Sequence, residues 1–427
     1  MSGQYSASEY KIQEAVLTIP ERGIELDISS TILELILYES VNTPYITGRM
    51  VCVDTQYVFE RLKFDGTERI RIDIASDYDA ILTKSFFITR TLGKTKSDEN
   101  TYAYNFYIAE DIFFLDVLKS VSRAYKGTPD EIIQNVLSNE FQRELKLIGK
   151  APYQSAFSYV SPYISPLAII DTIRRRAYDV NGFPYFVYAS LKEEEIRMKS
   201  LSEMIENDPL NEISFVFSNA QNFKNVPEQQ LINVESFEEA GENDTIELLL
   251  KGAVQNQYNV LNLSTNKRNK QNRFNITDAF DVGPTKSIFK KDFTIQDKTL
   301  NDFDPNVIYR VVNHTTMDEL GYHDEKDIEQ HLNKVKSTAL VSALSKKKIT
   351  AGITGVFNFN KDTVFIGEQV NLTLPQFESE TKDTVTSGSY VVLETKHLFS
   401  QNKYNMYMTC SRLTQSSDDT VAIGPNS

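Results

Sequence analysis

The side chains able to do acid–base, nucleophilic or metal chemistry are few in this chain, and they are scattered. Its four histidines are His314, His323, His331 and His397. His323 and His331 stand eight apart where a helix is predicted to begin, with Asp324 and Glu325 beside the first. A metal pair on one helix face needs ligands four apart and a third group, so this spacing reads as a solvated helix start. His397 ends a predicted strand and reads as a polar turn position. Cys52 and Cys410 each sit in an alternating apolar run, which points to buried thiols rather than a disulfide. Gly-x-Ser-x-Gly, a phosphate loop, His-Glu-x-x-His, Cys-x-x-Cys and Gly-x-Gly-x-x-Gly are all absent from the sequence. Carboxylates are plentiful, and a carboxylate pair is the equipment of a glycosidase. Here they gather in charged stretches such as residues 235–247, where solvation accounts for them. Arg174, Arg175 and Arg176 fall on one predicted helix and read as structural ion pairs or a solvated face. The remaining candidate is the basic run NKRNKQNR (266–273), with Lys267, Arg268, Lys270 and Arg273, followed by Lys286, Lys290 and Lys291. It could contact an acidic partner, and a solvated loop is the plainer reading. No catalytic residue, no cofactor and no metal is expected.

The bulk numbers agree with a binding or structural role. The chain has 427 residues, enough for two to four domains. Net charge is −14, which argues against general nucleic-acid binding, since that needs a basic footprint. No N-terminal run has the order of a signal peptide and no apolar run approaches a spanning length. Synthesis in the cytosol without membrane insertion is therefore expected. Phe and Tyr, at 25 and 22, favour strands, and Trp is absent.

The elements that must position these side chains are mostly strands. From Ala15 to Ile112 the apolar residues alternate: Ala15, Leu17 and Ile19; Ile24, Leu26 and Ile28; Ile70, Ile72 and Ile74; Tyr102, Tyr104, Phe106 and Ile108. Side chains two apart share a strand face, so these are half-buried strands. At Ala109 the period becomes helical. Ile112, Leu115, Leu118 and Val121 predict a first helix. Thr128-Pro129-Asp130-Glu131 is a capping box with proline at the first helical position. Ser165-Pro166 starts a third helix, Asn181-Gly182 closes it, and FPYFVYAS (183–190) reads as a strand. A strand is predicted at 212–217, a loop-rich acidic stretch at 219–247, strands at 246–250 and 258–263, and a long helix at about 324–346. The chain closes on residues 351–413, with strands at VFNFN (356–360), GEQVNLTL (367–374), Tyr390 to Leu393 and YNMYMTC (404–410), where Tyr404, Met406, Met408 and Cys410 share a face.

Those closing strands make half a small barrel and need strands from elsewhere; 246–263 are expected to supply them. The N-terminal block has the same order of parts: a glycine followed by charge (Gly66, Gly367), an alternating strand, a polar loop, an aromatic-led strand (Phe86, Tyr390), and a strand with a Tyr-led face. The shared order points to an internal duplication. The expected fold is mainly β with α+β insertions: two related antiparallel β-barrel domains, the second discontinuous. The expected divisions are 1–112 for the first barrel, 113–209 for an α+β domain, 210–263 plus 348–414 for the second barrel, 264–347 for an inserted irregular segment and long helix, and 415–427 for a disordered tail.

On these residues the chain resembles the baseplate hub proteins of T-even-type myoviruses. The similarity lies in FDGTERIRIDI (64–74), in IIDTIRRRAYDVNGFPYFVY (169–188), in YNVLNLSTNKRNKQNRFNITDAF (258–280), and in the long helix followed by ITGVFNFN, GEQVNLTL, SYVVLETKH and YNMYMT. It covers most of the chain in order; residues 281–305 align poorly. The resemblance implies tube-type barrels, a homotrimer presenting six similar barrels to a six-fold tail tube or tube-initiator protein, and a trimeric central spike on the other face. It also implies contact with baseplate wedge proteins, a location in the virion's tail baseplate, no catalytic site, and DNA passing through the channel without specific binding. Such passage favours an acidic wall, for which the net charge is available, although that charge equally serves solubility. A polysaccharide-active tail enzyme and a peripheral wedge or adhesin protein are the other classes. The first would show paired carboxylates in a cleft; the second would lack the duplication.

Overall fold

The computed structural model describes residues 10–62, 64, 66–76, 81–98, 101–206, 214–217, 231–239, 245–250, 252, 254–262, 267–268, 272–276, 285–287, 294–299, 302, 306–312, 316–318, 321–323, 328–344, 347–354, 364–376, 379–382, 386–401, 403–412 and 414–416. The first barrel uses β1 (Tyr10–Ile19), β2 (Ile24–Asp27), β3 (Ile32–Ser40), β4 (Thr47–Asp54), β5 (Arg69–Ser76), β6 (Ile81–Asp98) and β7 (Thr101–Ala109). Their order across the sheet is β2-β1-β5-β6-β7-β4-β3. β2 and β3 are two halves of one bent strand, joined by a single turn at Ser29–Thr31, so the chain itself closes the ring. The Ile28 amide continues the β2 ladder by donating to the Ala15 carbonyl at 2.8 Å. Alternation sends Leu17, Leu35, Met50, Ile70, Phe86 and Phe106 into a core where each is at most 1% exposed. Burying a side chain of that size contributes about 1.5–3 kcal/mol.

The second barrel closes by hydrogen bonds all the way round. Its strands are β13 (Ser214–Phe217), β14 (Leu231–Glu239), β21 (Lys348–Thr354), β22 (Gln369–Thr373), β23 (Gly388–Ser400) and β24 (Lys403–Ser411). They pair β23-β22-β13-β14-β21-β24, and β24 pairs back to β23. With the bent β2/β3 counted once, the two rings have the same connectivity. In each the order is second strand, first, fourth, fifth, sixth, third. Thus β13 corresponds to β1, β14 to β2/β3, β21 to β4, β22 to β5, β23 to β6 and β24 to β7. Inward positions match as well: Met50 with Ala351, Phe86 with Tyr390, Phe106 with Met408, all buried. One strand departs from the rule. β13 runs parallel to both of its neighbours, where β1 is antiparallel to its own. The chain is mainly β, with two related barrels of which the second is discontinuous.

Between them lie β8 (Ala124–Gly127), β9 (Leu145–Ile148), β10 (Phe157–Val160), β11 (Tyr185–Tyr188) and β12 (Ile196–Ser200), with helices at Asp111–Leu118, Pro129–Val136, Pro166–Arg174 and Leu201–Glu206. The capping box operates: the Glu131 carboxylate accepts from the Thr128 amide at 3.0 Å. Ser165 caps its helix by accepting from the Ala168 amide at 3.4 Å.

The structure corrects the expected make-up of the second barrel. Thr245–Leu250 is a helix, and Gln255–Asn262 (β15) pairs with β16 (Lys267–Arg268), β17 (Asn272–Asn275) and β18 (Asn306–Val312) in a separate sheet. Gly252, at φ +66°, has its amide on the Leu249 carbonyl at 3.0 Å and stops the helix. The barrel is completed by β13 and by β14, which lies in the stretch expected to be loop. Along β14 the acids Glu235, Glu238 and Glu239 are exposed; Glu238 lies opposite Thr350, and Glu239 lies opposite the core residue Ile349 at the end of the strand. The inserted segment also returns to the α+β unit: β19 (Thr316–Asp318) and β20 (Gly321–His323) extend the sheet of β10 and β8. The strand expected at 356–360 lies outside the described residues, as do 417–427 of the expected tail; its first residues, Gln415 and Ser416, belong instead to a short strand, Thr414–Ser416, paired antiparallel with Thr285–Ser287. The helix Ile328–Ala343 buries Leu340 and Ala343 against Phe186, Tyr188 and Leu201.

Candidate functional site: the junction of the two barrels

β3 and the second half of β23 pair antiparallel from Glu394↔Ser40 to Ser400↔Glu34, fusing both barrels into one sheet. The register is offset at a β-bulge between Val392 and Glu394. The first half of β23 pairs with β22, and the second half turns its free edge to the other barrel.

Glu39, on β3, is only 5% exposed at this joint. Its carboxylate accepts from the Leu191 amide and the Thr395 hydroxyl. His397 Nε2 lies 2.8 Å from Glu39 Oε2, and its Nδ1 lies 2.8 Å from the Tyr404 hydroxyl. The carboxylate therefore ties together the first barrel, the α+β unit and β23 of the second barrel, and His397 carries the chain of bonds on to Tyr404 of β24. Burial alone would raise the Glu39 pKa, but the charge and hydrogen bond of His397, with those of Thr395 and Leu191, outweigh it and hold the group at about 2. Burial raises the Tyr404 hydroxyl well above the phenol range. Nearby, burial lowers Lys192 to about 8 against the pull of Glu39.

A second set of contacts holds the α+β unit on both barrels, by ion pairs to the second and a hydrogen bond to the first. Lys199, 1% exposed, donates to Glu368 at 2.7 Å and to the Gly367 carbonyl at 3.1 Å. Arg197 Nη1 reaches Glu368 at 3.4 Å and also grips Glu193. Hydrogen bonding to Arg197, then to Lys146, lowers Glu193 to about 2 in spite of its burial. Lys84 of the first barrel donates to the Glu193 carbonyl at 2.9 Å. Gly367 is required at this seam: its φ is +73°, and a Cβ there would stand 2.3 Å from the Tyr188 hydroxyl.

Carboxylate, imidazole and hydroxyl in series is an order that can move protons. At this joint the three side chains are 3–6% exposed and lie within a ladder, so the arrangement fastens elements and offers no face to a substrate. Among the described residues no group of three or more His, Cys, Asp or Glu could hold a metal ion. Cys52 and Cys410 are free and buried, and burial raises Cys52 to about 12 and Cys410 further.

His397 was expected at a polar turn. It lies inside β23, which runs past it to Ser400, and the signal missed was Glu39 in the apolar run ahead of it, a charge that must find a partner once buried. His323 is on β20 and His331 on the long helix; His314 lies outside the described residues. Arg174 and Arg175 both pair with Asp171 at 2.7 Å, while Arg176 is buried near the Tyr159 ring. Of the basic run, Lys267 and Arg268 form β16 and Arg273 lies on β17, two short strands along one edge of β15, whose other edge carries β18. Lys270, Lys290 and Lys291 lie outside the described residues.

No family model matches the chain, and no curated protein matches it. Among solved structures, a tail protein from Neisseria meningitidis MC58 superposes with a TM-score of 0.58 at 10% identity, covering 95% of this chain and 97% of that one. The 43 kDa tail protein of prophage MuSo2 from Shewanella oneidensis gives 0.55 at 7% identity, covering 94% and 98%. At these identities the likeness is one of fold, and it extends over nearly the whole of each chain.

Proposed function

We propose that this protein is a structural hub of a contractile phage tail, joining a six-fold tail tube to a three-fold central spike. The observation that carries the reading is the repeated connectivity. One chain holds two barrels with the same strand order, fused side by side through β3 and β23. Three such chains supply six similar barrels, so a three-fold object can meet a six-fold one. The fold shared with two tail proteins along almost their full length supports a tail role, and the sequence resemblance to T-even-type hubs supports the baseplate.

On this reading the domains are a first barrel to about residue 112, an α+β unit to about 209 that receives the strands near 316–323, and a second barrel built from 214–239 and 348–411. The partners are two further copies of the chain, a trimeric spike, a tube or tube-initiator protein, and wedge proteins. DNA passes the axial channel, where carboxylates outnumber basic groups, and the protein performs no catalysis. Mass measurement of the purified chain with its spike partner tests this. Three copies are expected, and an image of the particle places them on the tail axis. A stable dimer, or a position at the tail periphery, refutes it.

A further inference from the structure

We propose that copies of this chain join through a second ladder, between β6 of one copy (Arg90 to Lys96) and β14 of the next (Ser236 to Glu239). The occupant of each edge is thus a second copy of the chain; this rests on the ring reading above and specifies its interface. The argument starts from the joint already present within one chain, where β3 lies on the far half of β23. In the correspondence of the two barrels, β3 matches β14 and β23 matches β6. The same two edges therefore occur once more in every chain. Among the described residues they are not joined: β5 follows β6 only as far as Phe87, beyond which the ladder partners of β6 lie on β7. Those of Ser236 to Glu239 lie on β21.

The match extends to irregularities. The bulge at Val392/Glu394 of β23 has its counterpart at Ile88/Arg90 of β6, and the bulge at Ile32/Glu34 of β3 has its counterpart at Val234/Ser236 of β14. Bulges and lysines also serve to block strand edges. In β23, however, the same bulge opens the segment that does receive a strand, so it is no bar to pairing. β6 carries two further bulges, so the register is transferred through β7 rather than by counting along β6. His397↔Leu37, Leu398↔Ile36 and Phe399↔Leu35 then become Lys94↔Glu239, Thr95↔Glu238 and Lys96↔Phe237.

One pair of this register, Lys94 with Glu239, joins opposite charges. The β6 edge bears Arg90, Lys94 and Lys96, and the β14 edge bears Glu235, Glu238 and Glu239. In the single chain Lys94 pairs with Glu60 at 3.1 Å and covers the Tyr102 ring at 3.9 Å; Arg90 and Lys96 have no ion pair among the described residues. Phe237 is 40% exposed, whereas Leu35, its counterpart at the joint that is made, is 0% exposed. Each copy would give one edge and receive another, a head-to-tail contact that closes when the rotation closes.

The test uses the full chain carrying Thr95→Cys and Glu238→Cys, oxidised at high protein concentration and resolved without reductant. Both positions are exposed, and the resident Cys52 and Cys410 are buried. Cross-linked dimer and trimer are expected from the double variant, a dimer from a mixture of the two single variants, and neither from a single variant alone. Lys94→Glu and Glu239→Lys, which the register sets opposite each other, should each raise the concentration needed for assembly about tenfold or more, and the two together should restore it. A trimer by mass with no 95–238 cross-link and no charge-reversal effect overturns the ladder and leaves the three-fold reading standing. A protein that stays single at every concentration and salt, without cross-link, overturns both.

Discussion

Replacing Glu39 by Gln keeps the shape of the side chain and removes its charge at the barrel junction. The carboxylate is held at about 2 against an ordinary 4.5, and each unit of that difference is worth about 1.4 kcal/mol. The charged form thus contributes about 3 kcal/mol to folding at pH 7, in line with the roughly 3–5 kcal/mol lost when one member of a buried pair is removed. The sign follows from the depressed value. The contribution is complete above about pH 4.5 and is lost as pH falls toward 2, because the unfolded chain takes up the proton first. Urea unfolding should therefore show Glu39→Gln less stable by about 3 kcal/mol at pH 7, with the gap closing between pH 4.5 and 2. His397→Gln should give a similar loss at pH 7, and the double variant should lose less than the two singles together, since they break one pair. The groups facing the carboxylate are His397, Thr395, Tyr404 and Lys192. A gap that is absent at pH 7, or that stays constant down to pH 3, would refute the assignment of Glu39 as the charged tie between barrels.

Met408 is fully buried between β21 and β23, so Met408→Asp should cost about 2–5 kcal/mol or more by placing an unpaired charge in the second core; an unchanged urea midpoint would show that this face is not the inner one. Gly367→Ala adds a Cβ at a positive φ against Tyr188 and should cost about 1–3 kcal/mol, with Gly93→Ala, which has open space at its Cβ, as the tolerated comparison in the same melt. Lys199→Met leaves Glu368 without its nearer cation and should lower stability by about 1–3 kcal/mol; equal midpoints for variant and wild type would mean that this contact adds nothing to the docking of the α+β unit.

The first barrel was legible because its strands alternate cleanly, and a period of two fixes which side chains share a face. The second was legible at its C-terminal strands and not at its first two, for a definite reason. β14 carries three exposed acids, Glu235, Glu238 and Glu239, and exposed charge on a strand looks in sequence like charge in a loop. Thr245–Leu250 failed in the opposite sense: four apolar residues in six satisfy a strand and a helix turn equally, and only Gly252 behind them favours the helix. The junction was hidden for another reason still. Glu39 and His397 are 358 positions apart, and no local period links them. What the sequence does carry is the anomaly at each end: a carboxylate inside the run Leu35 to Val41, and a histidine after a strand-forming run. Two such anomalies on strands that a duplication argument already assigns to different barrels are candidates for a contact between those barrels. The same logic makes the acids of β14 and the bases of β6 informative, since they lie on the two strands that correspond to the pair fused within the chain.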